Sequence, residues 1–154
     1  MRRKRQMLAL AECAAVLERG TSGVLAVSGD DGYPYAVPLS YVFCGSAILF
    51  HCAPEGHKLD AIRRSDKVSF CVTDCDTILP ERFTTAYRSV IVFGRAHVVL
   101  DEAERRAALT RLGAKYSPAG VSDEVERTLH RVCIIEMTIE HMTGKEAIEL
   151  VKGE

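Results

Sequence analysis

The chain has no tryptophan, and aromatic residues make up only 6% of it. That composition counts against single-stranded nucleic acid held on stacked rings. An excess of charge of one sign is missing too: 20 Lys and Arg stand against 21 Asp and Glu, a net charge of -1. No general positive field exists to hold a polyphosphate backbone. No run approaches the roughly 20 apolar residues of a membrane span. The six cysteines (Cys13, Cys44, Cys52, Cys71, Cys75 and Cys133) contain no C-x-x-C pair, the spacing that points to a zinc site or a redox dithiol. They read as reduced thiols packed as small hydrophobes in a cytosol. Neither nucleic acid nor a membrane is an expected partner, and the expected location is cytoplasmic.

What is present fits one globular domain over residues 1–154, with 47% hydrophobic and 27% charged residues. A chain this long buries about two-thirds of its unfolded surface. Its start is basic (Arg2, Arg3, Lys4, Arg5), and residues 8–17 are mostly apolar, which imitates a secretory signal with Cys13 as a lipidation site. Glu12 inside that stretch, and Glu18 and Arg19 in place of a cleavage region, argue against export. The basic residues read as a solvated helix beginning.

Met7, Leu10, Ala11, Ala14 and Leu17 recur at three-and-four spacing, which predicts an amphipathic helix over residues 4–19 ending at Gly20. The period then changes to two. Strands are predicted over 24–28, 33–43 and 47–53, joined by the short turns Asp30-Asp31-Gly32 and Cys44-Gly45-Ser46 as a three-stranded meander. A two-turn helix over 57–64 follows, then strands over 67–73 and 88–100. Gly94 inside the second of these suggests a bulge. Asp101 with Glu104 predicts a reciprocally capped helix to about Tyr116. Another short helix over 122–131, a sixth strand over 132–139, and a weakly helical tail over 144–154 complete the chain. Six strands with peripheral helices indicate a mainly β protein, an antiparallel barrel.

Chemistry concentrates in H-C-A-P-E-G-H-K, residues 51–58. A strand runs through a glycine turn into a helix start, so free amides, the positive helix end and Lys58 converge, which is how an anion site is built. His57 and Lys58 can equally be solvated residues of a first turn. His51 lies in an otherwise apolar strand. It can be a packed core histidine, and with Cys52 and His57 it matches no recognised metal-ligand spacing. Pro38 interrupts V-P-L-S-Y, so that strand is at an edge or distorted there. The amides of Leu39 and Ser40 are then open to a planar heterocycle. Ser89 begins a long apolar strand after Thr84, Thr85, Tyr87 and Arg88.

The order of elements, with G-Y-P-Y-A-V-P-L-S-Y (32–41), F-H-C-A-P-E-G-H-K-L-D-A-I (50–62), F-T-T-A-Y-R-S-V-I-V-F-G-R-A (83–96) and K-Y-S-P (115–118), resembles the pyridoxamine 5'-phosphate oxidase-related flavoproteins. The resemblance is greatest to their nitroimidazole-resistance branch and covers roughly residues 6–147. It implies a six-stranded split β-barrel of the FMN-binding type, a homodimer with FMN in grooves at the subunit interface. By the same resemblance, Pro38, Leu39, Ser40 and Tyr41 lie along the isoalloxazine ring. His51 and Cys52 face the ribityl chain and phosphate, and His57 and Lys58 hold the phosphate. Ser89 reaches the cofactor from the other subunit. His57 stands where the family often has arginine, and a neutral imidazole offers one donor in place of a fixed fork.

The oxidase that names the family holds its substrate with a C-terminal segment bearing Trp and Arg. Here the chain ends G-K-E-A-I-E-L-V-K-G-E, so vitamin B6 oxidation is not expected. The expected activity is an FMN-dependent oxidoreductase acting on a small electron-poor substrate, a nitroaromatic or a quinone. No side chain is assigned as catalytic, because a flavin performs the transfer and the protein binds and tunes it. The alternatives are a non-catalytic protein storing or sensing haem or another flavin, and a structural dimer with an empty groove.

Overall fold

The computed structural model describes residues 4–151; Arg2 and Arg3 of the basic start, and residues 152–154 of the tail, lie outside them. Eight strands and four α-helices follow in the order β1 (Met7–Leu8), α1 (Leu10–Arg19), β2 (Ser22–Ser28), β3 (Pro34–Ser40), β4 (Val42–Phe43), β5 (Ala47–Cys52), α2 (His57–Arg64), β6 (Lys67–Leu79), β7 (Thr84–Val99), α3 (Glu102–Tyr116), α4 (Val121–Thr128) and β8 (Cys133–Glu146). Six are the expected strands, and two are two-residue pieces, β1 and β4. The predicted first helix is shorter, because Met7 and Leu8 pair with Lys145 and Gly144 of β8. Residues 144–146 of the supposed helical tail belong to β8, paired with β1 and β7, and among the described residues after them the helical part is a short 3-10 turn at Ile148–Leu150.

All pairings are antiparallel, in the order β3-β2-β6-β7-β8-β5-β4. The sheet curls but does not close, which makes the architecture a split barrel. The predicted meander is corrected here: β3 pairs with β2, whereas β5 pairs with β8, from Ala47 opposite Thr138 to Cys52 opposite Cys133. The tight hairpin joins β4 to β5, with Val42 opposite Leu49. Between β3 and β4 stands Tyr41, whose ring is fully buried in the barrel and whose N-H is taken by the Tyr116 hydroxyl at 2.9 Å. One side chain driven inward thus breaks the strand, and β3 is left as an edge. Pro38, which cannot donate to a ladder, sits on that edge opposite Val24.

Two cores result from side chains alternating along the strands. Inside the barrel lie Leu25, Tyr41, Ile48, Phe50, Phe70, Val90 and Met137 with α1 and α2 residues such as Leu17 and Leu59. On the outer side of β5 and β8, Leu49 and Ile134 pack against Leu109, Leu112, Val125 and Leu129 of the α3–α4 region. The β6 and β7 strands extend past the predicted ends at Thr73 and Arg88 as a two-stranded arm. Its 3-10 turn Pro80–Arg82 is followed by Phe83, 99% exposed and left-handed at φ 51°. The predicted bulge is present between Phe93 and Gly94. Asp101 caps α3 by accepting the Glu104 N-H at 2.9 Å.

Candidate functional site

The broken edge of β3 and the far end of β5 frame the site. On β3, Leu39 packs against the barrel core, while Pro38 and Ser40 are exposed. Tyr41 belongs elsewhere. Its hydroxyl donates to the Leu17 carbonyl at 2.8 Å, and its N-H and C=O both meet the Tyr116 hydroxyl. Burial first, and nearby Tyr116 next, raise its phenol well above the ordinary tyrosine range. With ring and backbone so committed, Tyr41 anchors the segment from within and presents no free group to a ligand.

His51 and Cys52 are consecutive on a strand, so they point to opposite faces. His51 is exposed beside α3 and α4 and, with Ser40, lines a cleft of about 360 Å³ whose other walls include Leu109, Leu112, Tyr116 and Val121. Cys52 faces the barrel side opposite Cys133. Burial raises its thiol pKa, and the positive charge of Lys58 acts in the other direction. The end of β5 thus carries one of the two residues on each side.

After Cys52 the chain turns through Ala53, Pro54 and Glu55 to Gly56, whose φ of 136° is a conformation L side chains rarely adopt. Its carbonyl accepts the Leu59 N-H at 2.9 Å, closing the first turn of α2. The amides before Leu59 have no intrahelical acceptor, and the half-buried Lys58 stands at the same helix end. His57 is 78% exposed, and its Nδ1 lies 3.2 Å from Asp30 Oδ2. Arg64 holds the other Asp30 oxygen at 2.6 Å. This carboxylate was not anticipated. Its only sequence signal is the turn Asp30-Asp31-Gly32, whose acidic residues read as turn formers.

Ser89 stands apart. It pairs with Thr73 and Lys145, whereas His51 pairs with Ile134, and these two β8 positions lie near opposite ends of that strand. Within one chain Ser89 does not join the other candidates.

The K-Y-S-P segment supplies two residues to which the sequence assigned no role. Lys115 Nζ donates to the Gly20 carbonyl at 2.6 Å and lies 4.4 Å from the centre of the Tyr41 ring, and burial lowers its pKa. Tyr116 forms part of the cleft wall. Among the described residues there is no cluster of three or more metal-ligating side chains, and no helix is long and apolar enough to cross a membrane.

Residues 10–146 match the family model described as pyridoxamine 5'-phosphate oxidase. No curated protein matches. Among solved structures, a proposed 5-nitroimidazole antibiotic resistance protein from Bacteroides thetaiotaomicron is similar at TM-score 0.77 and 19% identity, over 91% of this chain and 86% of that one. An FAD-binding protein from Mesorhizobium loti gives TM-score 0.67 and 26% identity over 92% and 97%. An FAD and heme binding protein from Mycobacterium smegmatis gives 0.78 and 19% over 98% and 77%. At 19% identity the likeness is one of fold.

Proposed function

This chain belongs to the pyridoxamine 5'-phosphate oxidase family, and we propose that it binds a flavin nucleotide, FMN in the first instance, across the end of β5 and uses it to reduce small electron-poor compounds such as nitroaromatics or quinones. The observation that carries this reading is the start of α2. There Gly56, at φ 136°, leads into Lys58 beside unpartnered amides, and the space where a Gly56 Cβ would stand is open. A phosphate fits such a donor set. His57 directs Nδ1 at Asp30, which takes up the one donor of a neutral imidazole and opposes extra negative charge, so the phosphate rests on Lys58 and the amides. The open β3 edge at Pro38, Leu39 and Ser40 suits a flat heteroaromatic ring. His51 and Ser40 supply polar contacts at the mouth of the apolar cleft, where a substrate can stack and shed water. A bound flavin supplies the hydride or electron transfer, so the protein's part is binding and orientation.

In this reading the active form is a homodimer with the cofactor at the subunit interface. A second copy brings Ser89 to the site, a role one chain does not provide. The exposed apolar residues Val24, Ile91 and Phe93 on the outer wall of β2 and β7, and Phe83 at the tip of the arm, are surfaces for that copy to cover. The unbridged thiols suit a cytoplasmic location.

The test is the visible spectrum of freshly purified protein and its titration with FMN, FAD and haem in parallel. Flavin absorbance, and reoxidation of the dithionite-reduced protein by a quinone or nitroimidazole without air, are the expected results. A colourless protein that leaves added flavin unchanged removes the proposal. A second reading rests on His51, an imidazole at the wall of an apolar cleft: a non-catalytic carrier or sensor in which haem or another flavin is held. A Soret band on adding haem that is lost in His51→Ala, with no turnover of any acceptor, selects it.

A further inference from the structure

Pairing of β5 with β8 brings together two cysteines that lie far apart in sequence. Cys52, the last residue of β5, is directly opposite Cys133, the first of β8. Residues so opposed in an antiparallel ladder have Cα atoms about 4.5 or 5.5 Å apart, inside the roughly 4.4–6.8 Å that a disulfide spans. Both side chains are half-buried on the same face, against the barrel core, and both thiols are free. The other ladder cysteines have no such partner: Cys71 faces Val24 and Ile91, and Cys75 faces Arg88.

We propose that Cys52 and Cys133 are a redox-responsive dithiol that closes to a cross-strand disulfide when the protein meets a low-molecular-weight disulfide. One protein thiolate attacks a sulfur of the small disulfide and expels one small thiol. The second protein thiolate then attacks the resulting mixed disulfide at the protein sulfur, forming the Cys52–Cys133 bond and expelling the other. The protein pair loses two electrons, the small disulfide is reduced to two thiols, and the two protons leave with them. Cys133 lies close enough to Cys52 to help burial raise its pKa, against the positive charge of Lys58, which lowers it. The bridge would tie β8 to the strand end that leads into Gly56 and Lys58.

The experiment incubates purified protein with oxidised glutathione, then alkylates it under denaturing conditions for intact and peptide mass spectrometry. The expected product lacks the mass of two hydrogen atoms, alkylates at four of its six cysteines, yields one linked peptide pair containing Cys52 and Cys133, and returns to six with dithiothreitol. Cys52→Ala and Cys133→Ala should each form no internal bridge. Wild-type protein that keeps all six thiols, or a bridge joining other cysteines, overturns the proposal. The wild-type arm needs no variant to fold, and its readout does not depend on flavin binding.

Discussion

The Tyr116 hydroxyl accepts the Tyr41 N-H at 2.9 Å and lies 2.7 Å from the Tyr41 carbonyl and 2.6 Å from that of Thr21. One phenol at the end of α3 therefore does what a neighbouring strand would have done for the break between β3 and β4. Tyr116→Phe removes this partner and leaves the Tyr41 amide unsatisfied. The expected loss is about 1–3 kcal/mol, read as a lower thermal midpoint. Because the break adjoins Ser40, ligand affinity should fall with it. A variant as stable as wild type would show that water substitutes fully.

Lys58→Ala should weaken flavin binding by about ten- to a hundredfold, the equivalent of one charge-assisted hydrogen bond, while Lys58→Arg should keep most of it. Gly56→Ala meets no atom within 4 Å, so any effect is backbone strain at φ 136°, about 1–3 kcal/mol. Fluorescence titration with FMN and thermal unfolding separate the two. Unchanged affinity in Lys58→Ala would place the phosphate elsewhere.

Asp74 carries a pH prediction. Arg19 binds both its oxygens at 2.6 Å, and Arg88 is 3.6 Å away. The hydrogen bonds from Arg19, above all, hold the Asp74 carboxyl below its ordinary 3.8. A carboxylate depressed in the folded state contributes stability that is complete above its unfolded pKa and fades as pH falls through the folded value. Asp74→Asn should thus be less stable than wild type at neutral pH, by about 2 kcal/mol, and the gap should narrow below about pH 4. Thermal midpoints of both proteins across that range test this; a gap independent of pH would mean that the loss is packing.

Gly94 sits at the β7 bulge with the Thr138 carbonyl where a Cβ would go. Backbone cannot yield as a side-chain tip can, so Gly94→Ala should cost about 1–3 kcal/mol through overpacking. It should act on stability more than on ligand binding. Chemical denaturation of the variant beside wild type measures it.

Much of this was legible along the chain. The stop at Gly56 and the helix His57–Arg64 follow from a glycine and from Leu59 and Ile62 at helical spacing. The Gly94 bulge and the Asp101 cap also depend on a few adjacent residues. The predicted strands stop at Thr73 and resume at Arg88, and Asp74 and Asp76 between them are poor strand formers. Their strand conformation comes from facing residues on β7 and from Arg19 and Arg88, which engage Asp74. Asp30 beside His57 was invisible for the same reason: its partner is far away in sequence.

The sequence alone determined that the chain folds as a mainly β barrel with a glycine-led helix start bearing His57 and Lys58, because alternation, turns and caps are settled by residues a few positions apart. Only the tertiary structure decided that β5 leaves β3 for β8, that Tyr41 turns inward, that His51 and Cys52 separate to two faces and that Cys52 meets Cys133. Those choices set one long-range pairing against another, and their outcome depends on how the whole core can be filled.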